Sequence, residues 1–82
     1  MNERLKFEGK RGLLREEALR HERRLDGLVR SLRDLLDPTE HVAELDAEQI
    51  RAQAFDLAVV QGELKGVLEE IAKIDRILDR GV

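Results

Sequence analysis

The chain has no cysteine, no tryptophan and no tyrosine, a single proline and two phenylalanines in 82 residues. Without cysteine there is neither a disulfide framework nor a thiolate metal site. With 2% aromatic residues, the stacking platform that single-stranded nucleic acid requires is hard to build. Long hydrophobic runs are missing too. The uncharged stretch 57–62 lies between Asp56 and Glu63, whereas a spanning helix needs about 20 apolar residues. Residues 1–8 carry charges throughout and lack the apolar region of a secretory signal. The expectation is a cytoplasmic protein with no membrane segment and no cofactor. Alternating strand patterns and hairpin turn signals are likewise missing.

What is present is charge. Lys, Arg, Asp and Glu make up 40% of the chain and apolar residues 41%. That balance suits long paired helices better than an enzyme with an enclosed pocket. The net charge of −3 is unevenly spread: residues 1–36 sum to +3 and residues 37–82 to −6. A basic half and an acidic half suit two helices lying against each other.

Apolar residues recur at alternating steps of three and four. In the first half the series is Leu14, Ala18, His21, Leu25, Leu28, Leu32 and Leu35. In the second it is Ile50, Gln53, Leu57, Val60, Leu64, Val67, Ile71, Ile74 and Leu78. Both are heptad seams. Folding the chain so that Leu35 meets Ile50 brings every later layer into register. Leu28 then faces Leu57, His21 faces Leu64, Ala18 faces Val67, Arg11 faces Ile74 and Phe7 faces Leu78. On the flanks Arg24 falls near Glu63, and Glu17 falls unfavourably near Glu70.

The fold expected is all-α: one domain over residues 1–82, a two-helix antiparallel coiled-coil hairpin that dimerises into a four-helix bundle. Helix 1 runs over about 3–36, or starts at 13 if Gly9 and Gly12 break it, since each costs about 1 kcal/mol relative to alanine. Residues 37–45 form the connector and helix 2 covers about 46–80. Asp37-Pro38-Thr39-Glu40 reads as a helical start, and so does Asp46-Ala47-Glu48-Gln49. Gly81 reads as the C-terminal cap.

Three residues interrupt the seams. His21 and Gln53 read as polar register devices, and Arg11 as a side chain that covers the seam with its stem. If His21 is buried, acidification is expected to weaken the assembly. His21-Glu22 begins like a zinc-protease motif, but Leu25 stands where its second histidine belongs. Gly9-Lys10-Arg11-Gly12 matches the four-residue clamp of KH domains without the strands that fold needs. No catalytic or metal-binding set is visible.

Outside the seams, Ala52, Phe55, Val59, Gly62 and Gly66 step down one side of helix 2. Val29 and Leu36 widen the apolar face of helix 1 near the same end. These seven residues are the expected oligomer or partner face. Phe7 and Phe55 are both expected to be partly buried. The function expected is a non-enzymatic structural or protein-interaction module: an assembly factor, adaptor or small chaperone-like protein with itself and another protein as partners. The alternative is a nucleic-acid accessory or regulatory protein using Arg20, Arg23, Arg24 and Arg30 on helix 1.

Overall fold

The computed structural model describes residues 2–81. Two α-helices, α1 (Glu3–Leu35) and α2 (Ala47–Asp79), are joined by a connector containing a single 3-10 turn at Val42–Glu44. They pack side by side as an antiparallel hairpin, 62 × 16 × 14 Å in extent. At about 1.5 Å per residue, a 33-residue helix is about 50 Å long.

The seams close as their spacing requires. Every residue of both heptad series is buried or half-buried, as are Phe7 and Arg11. The most enclosed are Ala18, Val60, Val67, Ile74 and Leu78. Cross-hairpin contacts report the register directly. Arg11 reaches Asp75 at 2.9 Å and His21 reaches Glu63 at 3.7 Å. Each partner is one residue from the layer mate that the register assigns.

α1 runs unbroken through Gly9 and Gly12. Asn2 caps it, its side chain accepting the Arg4 N–H at 2.9 Å. Arg4 also pairs with Glu8 at 3.0 Å, and its guanidinium donates to the Leu78 carbonyl at 3.3 Å. That carbonyl belongs to the last turn of α2, where a cation is favoured by the helix dipole. Tertiary contact thus holds the glycine-bearing arm in place, which propensity alone does not.

The connector departs from the helical start expected at Asp37. The Asp37 carboxylate accepts the Thr39 N–H at 2.9 Å and its hydroxyl at 2.7 Å, and the Glu40 N–H closes a turn on the Asp37 carbonyl at 3.2 Å. The chain then extends at His41, whose Nδ1 accepts the Ala43 N–H and caps the 3-10 turn. Asp46 does open α2, accepting the Gln49 N–H at 3.1 Å. At the far end Gly81 adopts φ 82° and donates to the Leu78 carbonyl, a conformation that glycine enters without the Cβ penalty.

Candidate interaction faces

The polar seam residues differ in how they are satisfied. Arg11 keeps 27% of its side chain exposed and ends on Asp75, so its stem covers the seam while its charge is paired. Gln53 is half-buried, and its Oε1 is enclosed without a donor. His21 keeps 17% side-chain exposure, with Glu17 at 3.6 Å from Nε2 and Glu63 at 3.7 Å from Nδ1. Both separations exceed hydrogen-bonding distance, and Nε2 is enclosed without a partner. His21 is thus flanked by a carboxylate from each helix.

The flank charges redistribute accordingly. Glu63 stands by His21 and not in an ion pair with Arg24, while Glu70 turns to Lys73 at 3.5 Å and away from Glu17. The spacing of four between Glu17 and His21 on one helix signalled the first contact.

The seven residues of the expected apolar face do not form one patch. Ala52, Phe55, Val59, Gly62 and Gly66 line the outer side of α2, all exposed. Phe55 is 68% exposed, which corrects the expectation that it is partly buried. A shallow open depression beside it is lined by Glu48, Arg51, Ala52, Phe55 and Asp56. A Cβ built on Gly62 or Gly66 would meet nothing within 4 Å, so the hairpin itself does not require glycine there. Val29 is half-buried and Leu36 exposed on α1. Their heptad phase puts them on the flank adjoining Asp75, whereas Val59 lies towards the flank of Glu63. Leu19 and Leu68, each 45% exposed, join Val29 and Leu36 on their side. They carried no signal beyond lying one step outside the seams.

Arg20, Arg23, Arg24 and Arg30 are exposed on α1. Among the described residues none of the four lies within 4.0 Å of a carboxylate oxygen. Glu16, Glu22 and Asp26 are exposed on the same helix and interrupt them. Among the described residues no group of three or more His, Asp or Glu is arranged to hold a metal ion, and no helix is long and apolar enough to cross a membrane. No family model, curated protein or solved structure matches the chain.

Proposed function

We propose that this chain is a non-enzymatic structural and protein-interaction module that works by presenting helix faces, to a second copy of itself in a four-helix bundle and to a helix of another protein. The observation that carries the proposal is the apolar surface left outside the seam. Phe55 at 68%, Leu36 at 53% and Val59 at 45% exposure stand on helices whose mutual packing encloses only small and branched side chains. Small scaffolds of this size usually gain stability by association, and helix-on-helix docking through anchors three and four residues apart is the matching mode.

Light scattering across concentration, on wild type and on Phe55→Asp, tests it. The expected wild-type mass is twice 9.4 kDa. A wild type that stays monomeric and normally stable overturns the bundle. A dimer that survives Phe55→Asp leaves the outer side of α2 for the other protein.

One observation favours a second reading, the set of exposed arginines outside ion pairs. In that reading the chain is a nucleic-acid accessory protein. Binding to DNA or RNA would weaken steeply with salt, and replacing Arg20, Arg23 and Arg24 would flatten that slope.

A further inference from the structure

α2 carries a second heptad series on its outer side. Ala52, Phe55, Val59, Gly62 and Gly66 follow one another at steps of three and four, all exposed, with Glu48 before them and Glu69 after. Consecutive uncharged positions at this spacing make a second seam that nothing in the hairpin covers. On α1 the matching outer row is broken by Glu16, Arg20, Arg23 and Arg30. The exposed leucines Leu5, Leu13, Leu19, Leu36 and Leu68 are spread around the rod with charges between them, so neither broad side offers a continuous surface.

Gly62 and Gly66 suit a close contact. Glycine weakens a helix interior, and the hairpin has no steric need of it here, since a Cβ at either position would meet nothing within 4 Å. Opposite another helix, the missing Cβ lets the two backbones approach.

The side chains that flank this row decide the direction of docking. On one edge stand Asp56, Glu63 and Glu70, spaced by a heptad; on the other stand Arg51, Ala58 and Lys65, spaced likewise. Antiparallel docking of two copies lays like edge on like edge, with Asp56 against the partner's Glu63 beside the apolar centre. Parallel docking brings opposite edges together. Arg51 then meets the partner's Asp56, Ala58 the partner's Glu63, and Lys65 the partner's Glu70, each twice by symmetry. Among the described residues Asp56 and Lys65 have no opposite charge within 4.0 Å in their own hairpin. Arg51 already holds Glu48 at 2.8 Å, and Glu70 lies 3.5 Å from Lys73. Each new pair therefore supplies a partner to one charge that has none. Like charges meet only at the ends of the row, where Glu48, Glu69 and Lys73 would each face its own copy. The contact is thus confined to the stretch from Ala52 to Gly66, about 21 Å long, and the helices part beyond it.

We infer that a second copy docks through the outer side of α2, the two α2 helices parallel about a twofold axis along the rod, with Phe55 and Val59 each facing its own copy. The inference rests on the reading that the chain self-associates. The row lies almost opposite the seam with α1, so the four helices stand side by side with the α2 pair innermost.

The chain has no cysteine, so a single introduced one reports the docking mode. Parallel pairing brings the two copies of residue 52 together, and antiparallel pairing on the same row holds them apart. Ala52→Cys and, as control, Leu13→Cys are oxidised mildly at concentrations where light scattering gives a dimer. Ala52→Cys is expected to form a disulfide-linked dimer, and Leu13→Cys to stay unlinked over the same time. A dimer in which Ala52→Cys stays unlinked, or links no faster than Leu13→Cys, overturns this docking mode while leaving self-association standing. A wild type that is monomeric at every concentration removes self-association itself, and the docking mode with it.

A charge swap provides the second readout. Arg51→Glu and Asp56→Lys chains are mixed and weighed by native mass spectrometry. Each variant alone sets like charges together on both flanks of Phe55, and the mixed dimer restores opposite charges at both places. The ratio of mixed dimer to the two homodimers is expected to exceed the statistical value by about 3–10-fold. A statistical mixture overturns the inference.

Discussion

Gln53 is one of two seam residues with an enclosed polar atom that has no partner. An enclosed acceptor without a donor costs about 1–3 kcal/mol, and its layer mate across the hairpin is Leu32. Gln53→Leu is therefore expected to stabilise the hairpin by about 1–2 kcal/mol in urea melts. A polar residue in a seam also restricts register and partner number. The same substitution is expected to broaden the distribution of masses seen by light scattering. Asp37 is the residue at which acidity matters. Hydrogen bonds from the Thr39 N–H and hydroxyl hold its carboxyl below the ordinary carboxylate value. A lowered value in the folded state means that its contribution is present above the ordinary carboxylate range and is lost as pH falls through the lowered value. Thr39→Val removes the hydroxyl donor, so the Asp37 midpoint is expected to move up, read by NMR titration of its carboxyl carbon.

Within α1 the balance is between local propensity and tertiary hold. Gly9 and Gly12 lie inside the helix, and a Cβ at either would meet nothing within 4 Å. Gly9→Ala and Gly12→Ala are each expected to stabilise the protein by about 1 kcal/mol, with greater hydrogen-exchange protection over residues 3–12 as the local readout. Breaking the Arg11–Asp75 and Arg4–Leu78 contacts would act in the opposite direction, because they tie this arm to α2. α2 gains its rigidity differently. Val60, Val67 and Ile74, three of its four buried side chains, recur every seven residues, so one seam row is enclosed along most of its length.

For the whole molecule, shape limits what a lone hairpin achieves. A rod 62 Å long and about 16 Å wide encloses little volume for its surface, and among the described residues no side chain larger than valine falls below 2% exposure. Under the proposed self-association, the molecule's stability is coupled to assembly. Its melting temperature is expected to rise with chain concentration, as mass action requires when the folded chain associates and the unfolded one does not. Circular-dichroism melts over a hundredfold concentration range check this, and a concentration-independent midpoint would contradict association.

The helical hairpin was legible in the amino-acid order alone, because heptad spacing is a strong and redundant signal. Each seam repeats over three to four heptads, and an antiparallel pairing that satisfies one layer satisfies them all. The Asp46 start and the Gly81 cap were legible as well, since both are backbone requirements met by neighbouring residues. What the tertiary structure decided were matters of which side, not which element. His21 lies between carboxylates from two helices, one of them visible only once the register is built in three dimensions. Continuity through Gly9 and Gly12 depended on contacts with residues more than sixty positions away. Asp37 stands in a turn, its carboxylate held by the Thr39 N–H and hydroxyl. The apolar residues outside the seams read as a single face on paper. They fall on two sides of the rod, because the flank each seam presents is set by how the second helix lies against the first.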